Sequence, residues 1–337
     1  MRVGSEFFMK LAIEEAWRFQ GLTYPNPAVG AVVTREGKIL SIEAHRRAGE
    51  AHAEVRALLA AYESIVDARI PDIIYRDAFK AHEFLLELPE GFFSECEIYV
   101  TLEPCSHMGK TPSCASLLAS LSPKRVYMAC GDPIEGHGGG AALLREKGID
   151  VLTGVCEEEA SILIEPFLIW RERGFVLFKL AQTSNGRIGG GYLSSKESLE
   201  HVHSLRAVAD RLVIGGNTVR SDRPRLDCRF VKEGRAPDIT IYSRRNDFDE
   251  TIPLFEIPDR EVEISDTLHE VLQKPGFLLV EGGEGMLRAL AEKIDWMLFY
   301  QTPKLSVHPL SYNIDKNLQF LHHGGVGVDI VIWSRFG

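Results

Sequence analysis

Apolar and polar positions change period several times along the chain, and each change predicts an element. Residues 5–20 set Phe8, Leu11, Ala12 and Phe19 on a stripe with Glu15 among them, the spacing of an amphipathic helix. "AVGAVVT" (28–34) and "KILSIEA" (38–44) are strand-like runs on either side of a Glu36-Gly37 turn, a hairpin signal. A helix starts near His52 and continues through "AEVRALLAAYESIV". The run "EIYVTLE" (97–103) predicts a strand, and "PSCASLLASL" a helix opened by Pro112. "RVYMA" and "IDVLTG" are strands separated by the helical "GAALLREKG". Helices alternating with apolar strands predict a three-layer α/β domain over residues 1–155. Residues 67–95, with Pro71, Pro89 and the helix-like "YRDAFKAHEFLLEL", break that alternation and read as a surface insertion.

The run "CEEEASILIEPFLIWRER" predicts a connecting helix within 156–174. The pattern then restarts with "FVLFKLAQT" (175–183), followed by strands at "RLVIGG", "DITIYS" and "FLLVEGG" and helices around 196–209 and 285–293. Residues 175–337 are thus a second α/β domain, with no internal repeat and no low-complexity tract.

Length agrees, since 337 residues exceed one typical domain. Hydrophobic content of 45% with 26% charged residues is that of a soluble globular protein. A net charge of −10 argues against nucleic-acid and anionic-membrane partners, while leaving room for a small anionic substrate in a local basic pocket. No window approaches the roughly 18 apolar residues of a membrane span, and the acidic N-terminal stretch lacks a signal-peptide pattern. A cytoplasmic enzyme is the expectation, with homo-oligomer formation left open. Six cysteines then point to reduced thiols, some of them metal ligands. Cys96, Cys130, Cys156 and Cys228 read as small buried hydrophobes.

The chemistry concentrates in "EAHAEV" and "TLEPCSHMGKTPSC". His52 and Glu54 are two positions apart, and such residues do not face each other inside a helix. They can share one object only if the helix begins there and both reach beyond its end. Cys105 follows a strand, and Cys114 opens the next helix, where a thiol loses its proton more readily. One imidazole and two thiolates are three zinc ligands, leaving a position for water whose pKa zinc lowers towards about 7. Glu54 then shuttles the proton to a leaving nitrogen. Each residue alone has an ordinary structural explanation; the joint pattern of H-x-E and P-C with a second helical Cys favours zinc. Zinc nucleobase deaminases have H-x-E with P-C-x-x-C, whereas here the cysteines stand nine positions apart.

"YPNPAVGAVV", "HRRAGEAHAEVRAL" and "TLEPCSHMGKTPSC" together resemble the deaminase half of the bifunctional riboflavin-biosynthesis deaminase/reductase family. The resemblance implies a cytidine-deaminase-like domain with His52, Cys105 and Cys114 as zinc ligands and Glu54 as proton donor. It makes Asn26 a contact to the pyrimidine, although an Asn between two prolines is equally a turn former. His107 and Lys110, in the loop between the cysteines, could meet the substrate's phosphate or simply be solvated. One departure is Ile134-Glu135 where the family has a second Asn-Pro.

In the second half, residues 203–229 hold six arginines against three aspartates in an otherwise acidic protein, which suggests a phosphate pocket or a solvated basic face. The paired Gly215-Gly216 favours the pocket, because bare backbone permits close ligand approach. "LLVEGGEGMLRAL" is a strand, a Gly-rich turn and a helix, without the G-x-G-x-x-G fingerprint. "HSLRA", "GGNTVRSDRPRL" and "VEGG" resemble the reductase half of the same family, which has a dihydrofolate-reductase-like fold and uses NADPH. Carried over, Ala181, Tyr192, Thr218, Asp222, Ser243 and the turn of Gly283, Glu284, Gly285, Met286, Leu287, Arg288 and Ala289 would line the NADPH site. Lys179, Arg206, Leu226, Arg229 and Glu281 would contact the substrate. Asn185 stands where the family has Asp, and Tyr192 where it has Trp.

The expected function is zinc-dependent deamination of a phosphoribosylaminopyrimidine, followed by NADPH reduction of its ribosyl chain to ribityl. The nearest alternative is an active deaminase with a degenerate, non-catalytic reductase-like domain. A tRNA deaminase is disfavoured by the charge, and a purely structural zinc module would leave Glu54 without a task.

Overall fold

The computed structural model describes residues 4–337 apart from 108, 110, 135–137 and 192. The chain divides into two compact units, Met1–Phe167 and Leu168–Gly337. The division falls inside the predicted connecting helix.

The first unit contains β1 (Gly30–Arg35), β2 (Lys38–Ala44), β3 (Cys96–Leu102), β4 (Arg125–Cys130) and β5 (Asp150–Leu152), in the sheet order β2-β1-β3-β4-β5. β1 pairs antiparallel with β2 and β3, while β3, β4 and β5 are parallel. Its helices are α1 (Ser5–Trp17), α2 (Ala53–Val66), α3 (Asp72–Arg76), α4 (Ala78–Leu86), α5 (Cys114–Leu121), α6 (Gly140–Glu146) and the boundary helix α7 (Glu157–Glu172). Side chains alternate across the sheet. Ala31, Val33, Ile98, Val100, Val126 and Met128 face a core shared with α2, α4, α5 and α6. From the opposite face Tyr99 meets Phe8 of α1, ring centroids 5.1 Å apart. A Cβ at Gly30 would lie 1.9 Å from the Ala12 carbonyl oxygen, so α1 can rest on β1 only because that position is bare.

Residues 67–95 are more than a surface insertion. Asp77 caps α4 by accepting from the Phe79 and Lys80 N–H groups. Ala81, Leu85 and Phe93 are fully buried in the same core as α2. Tyr75 lies under the Arg56 guanidinium, 5.1 Å from ring centroid to carbon. The flanking prolines marked a break in pattern, and the spaced apolar side chains between them marked a core face.

The second unit contains β6 (Gly174–Thr183), β7 (Arg211–Gly215), β8 (Asp238–Tyr242), β9 (Val262–Ser265), β10 (Gly276–Glu281), β11 (Trp296–Thr302), β12 (Leu318–Val326) and β13 (Asp329–Phe336). They form one sheet in the order β12-β13-β11-β6-β10-β7-β8-β9. From β11 to β9 the strands are parallel, and β13 and β12 add antiparallel at one edge. The helices are α8 (Lys196–Val208), α9 (Gly216–Asp222), α10 (His269–Gln273) and α11 (Glu284–Leu290). Strands buried on both faces read as continuous apolar runs, which is why β6, β7, β8 and β10 were legible. The sequence reading passed over β9, β11, β12 and β13, although β11, "WMLFYQT", is an apolar run of the same kind; in β12, "LQFLHHGGV", the strand is mostly exposed and lacks alternation. Among the described residues, no helix is long and apolar enough to cross a membrane.

Candidate functional site

His52 is the N-cap of α2, with extended backbone, so it stands outside the helix while Glu54 occupies the first turn. That removes the spacing problem, because two residues at a helix start can address one point beyond its end. Cys105 follows β3, and Cys114 is the first residue of α5, whose N-cap Ser113 accepts from the Ser116 N–H. The Ser113 hydroxyl also donates to the Cys105 carbonyl at 2.9 Å, tying the two cysteine segments together. His52 Nδ1 lies 3.4 Å from Cys114 Sγ and 3.9 Å from Cys105 Sγ. The three ligand atoms are within 4.8 Å of one another, and among the described residues no other such group of His, Cys, Asp and Glu occurs.

The donor set fits zinc. Bonds of about 2.3 Å to sulfur and about 2.0–2.1 Å to nitrogen put tetrahedral ligands roughly 3.5–3.8 Å apart, close to the spacing found. Protonation points the same way. The Cys114 side chain and the His52 imidazole hold the Cys105 thiol well below its ordinary range, against burial. Cys114 moves the other way, pushed up by its neighbour Cys105 and by burial. One thiolate is therefore favoured without help, and a second requires a cation between them. Glu54 is 4% exposed, and burial raises its carboxyl to about 7, helped by Cys105 and opposed by His52. A group poised there can both accept and release a proton near neutrality.

Asn26 donates from Nδ2 to His45 Nε2 at 3.1 Å, and His45 Nδ1 donates to the Ala51 carbonyl at 3.3 Å. Burial, with His52 adding, lowers His45 to about 3, so the ring is neutral and can accept at Nε2. The His45 ring meets His52 edge-on at 5.2 Å between centroids. Asn26 is thus oriented towards the cluster through His45, a residue the sequence reading passed over; its histidine, seven positions before His52, was the available signal. His107 is exposed on the loop after Cys105, and Lys110 lies outside the described residues. Glu103, also unremarked, accepts from the N–H groups of Asp132, Gly139 and Ala141, so one carboxylate two residues before Cys105 ties these three positions together. Burial opposes its ionisation, yet those N–H groups hold the carboxylate below its ordinary range.

The second unit has a cleft of about 630 Å³ at the C-terminal ends of β7, β8 and β10, where parallel α/β sheets commonly bind ligands. Of the predicted cofactor residues, Thr218, Ser243, Gly283, Gly285, Met286 and Ala289 line it. Leu287 instead packs into the core, Arg288 pairs with Glu284 at 2.6 Å, and Asp222 accepts from Ser221 at 2.7 Å. Ala181 sits on β6 opposite Tyr300, and Tyr192 lies outside the described residues. The glycines serve packing as well as access: a Cβ at Gly216 would meet Ser243 at 2.6 Å, and one at Gly282 would meet Met286 at 2.7 Å.

Beside the Gly282-Gly283 turn, Arg206 bonds Glu281 through two nitrogens at 2.6 and 2.9 Å, and Lys179 Nζ lies 3.9 Å from the same carboxylate. Burial opposes ionisation of Glu281, but Arg206 and Lys179 hold it at about 2. Burial lowers Lys179. Its ammonium lies over the Tyr300 ring, and Tyr300 donates to His201 Nδ1 at 2.7 Å. The arginine-rich stretch is largely neutralised within the fold. Each of its six arginines has an acidic partner, Arg225 and Arg229 sharing Asp227, whose backbone carbonyl also accepts from Arg206. Leu226 is buried with positive φ and offers its carbonyl to Arg260. Asn185 accepts from Thr183 Oγ1 at 2.7 Å and from the Ser306 N–H at 3.1 Å, and donates to the Ser306 carbonyl at 2.8 Å. A carboxylate could not make that last bond.

Residues 3–130 match the cytidine and deoxycytidylate deaminase zinc-binding region, and residues 175–306 the RibD C-terminal domain. The riboflavin biosynthesis protein RibD of Aquifex aeolicus is 34% identical over 343 residues, covering 90% of this chain and 88% of that protein. Two solved structures align over 98% of both chains. One is RibD of Acinetobacter baumannii, at 26% identity with a TM-score of 0.65. The other is a diaminohydroxyphosphoribosylaminopyrimidine deaminase/5-amino-6-(5-phosphoribosylamino)uracil reductase from Thermotoga maritima, at 27% identity with a TM-score of 0.64. On this similarity, running through both α/β units, the chain belongs to the RibD family of riboflavin biosynthesis proteins.

Proposed function

We propose that this chain performs two successive steps of riboflavin synthesis, hydrolytic deamination of a phosphoribosylated diaminopyrimidine and reduction of its ribosyl chain to ribityl. The observation that carries the reading is the meeting of His52, Cys105 and Cys114 at ligand distance, with the buried acid Glu54 at the same helix start. A zinc ion held by those three residues supplies Lewis-acid activation of water. Glu54 takes the proton from the attacking water and delivers it to the leaving nitrogen, and its raised pKa suits both directions. Asn26, oriented by His45, contacts the pyrimidine, and His107 binds the phosphate, a role that Lys110, outside the described residues, shares by resemblance alone.

In the second unit NADPH supplies the hydride, and the protein supplies binding and orientation. Thr218, Ser243, Gly283, Gly285, Met286 and Ala289 hold the cofactor in the cleft. Lys179, Arg206, Leu226, Arg229 and Glu281 take the sugar-phosphate side of the substrate. Asn185, where the family has Asp, is accommodated by the fold, its amide making both bonds to Ser306.

The test is a paired assay with the phosphoribosylated diaminopyrimidine and NADPH, following ammonia and NADPH absorbance separately. Ammonia release, with NADPH oxidation dependent on it, is the expected result. Ammonia alone would remove the reductase from the proposal, and neither activity in zinc-loaded protein would remove both.

A further inference from the structure

His52 has two ring nitrogens, and only one of them can serve a metal. Nδ1 faces Cys105 and Cys114, whereas Nε2 lies 3.2 Å from the Thr111 hydroxyl oxygen. Thr111 is 8% exposed, in the turn between the two cysteines, and its backbone carbonyl accepts from the Gly109 N–H at 3.1 Å. We infer that Thr111 is a positioning residue for the metal centre, accepting the Nε2–H of His52 and so fixing the tautomer that keeps the Nδ1 lone pair aimed between the thiols.

A neutral imidazole carries its single proton on one nitrogen, so a proton at Nε2 leaves Nδ1 as the ligand atom. Among the described residues, Thr111 is the hydrogen-bond partner found for Nε2, and removing its hydroxyl removes that acceptor. The alternative tautomer, protonated at Nδ1 towards the thiols, then gains population and cannot bind metal. The bond also fixes the ring plane, because His52 is anchored by the cluster on one side and by Thr111 on the other. Both effects act before any substrate arrives, so they belong to metal affinity. The inference rests on the zinc reading of the His52 site.

Metal-stripped full-length protein would be titrated with zinc against a chromophoric chelator, and the cobalt-substituted form examined by absorption. Thr111→Val, which keeps the shape and removes the hydroxyl, should weaken zinc binding by about 10–100-fold, the usual effect of losing an outer partner of a ligating histidine. It should also shift the cobalt bands. Thr111→Ser, which restores the acceptor, should return both towards the parent; Thr111→Ala replaces the valine variant if that does not fold. Parent-like affinity and bands in Thr111→Val, or a serine variant as weak as the valine one, would overturn the role of Thr111. Cys105→Ser separates the two claims. If it binds zinc as tightly as the parent, the metal reading itself fails; if it loses zinc while Thr111→Val does not, only the inference falls.

Discussion

At the His52 cluster one thiol readily gives up its proton and the other is held protonated, whereas at the Glu281 cluster a buried carboxylate already lies between Arg206 and Lys179. The first site is assembled with a charge demand that its own side chains leave unmet. The second is assembled around a carboxylate that its own side chains already pair, with one positive charge to spare. A cation therefore completes the electrostatics of the first unit, while the second offers its excess positive charge from groups already held by Glu281. Perturbation should accordingly hit chemistry in one unit and stability in the other.

The largest effect expected is from Glu54→Gln. General acid–base contributions of about 10²–10⁴-fold set the size of the fall in ammonia release, with zinc still bound at one per chain. An unaffected rate would mean that Glu54 is only a buried carboxyl, and the contrast with Glu281 would collapse.

Next comes Glu281→Gln, which leaves Arg206 and Lys179 buried beside an uncharged group. Breaking a buried pair from one side costs about 3–5 kcal/mol, and partial access to solvent places this case towards the low end. Hydrogen exchange of the β6 and β10 amides would report it locally. The acid response has a definite sign. Glu281 is held at about 2 against an ordinary 4.5, so its contribution is complete above the upper value and is lost as pH falls through the lower. The glutamine variant should lack that acid limb, and an unchanged limb would show that another carboxylate controls it.

The residues legible in advance were those whose chemical type is informative at the end of an element. His52, Cys105 and Cys114 needed only a helix start and a strand end. Thr111 and His45 act through partners 59 and 19 positions away, and neither type is rare enough to announce that. The run proposed for the cofactor was half legible, because Gly283, Gly285, Met286 and Ala289 line the cleft, Met286 also packing into the core, while Leu287 packs only into the core. Helical rotation decides this, and a motif copied as a contiguous run cannot express it. The arginines were visible in number but not in pairing, since Asp247, Asp249 and Glu261 come from later segments.

The smallest effect expected is from Asn185→Asp. One donated bond to the Ser306 carbonyl is lost, worth about 1 kcal/mol, and a carboxylate now faces that carbonyl. NADPH oxidation should slow by a few-fold at most, and ammonia release should not change. Faster oxidation in the aspartate variant would mark the asparagine as a loss rather than an adaptation.

The start of α2 has one more implication. His52 and Glu54 are separated by a single residue across the boundary between extended and helical backbone, so their relative placement is a matter of covalent geometry. Loosening the sheet or trimming a core side chain would make the protein melt sooner, yet any molecule still folded would keep the same spacing between ligand and acid. A deletion or insertion inside that tripeptide would change the spacing, but it would also displace Ala53 and the α2 side chains after it from the core, and the fold would suffer with the site. A folded but inert variant in this half of the chain should therefore come from exchanging the Glu54 side chain at constant size, not from altering the length of the helix start.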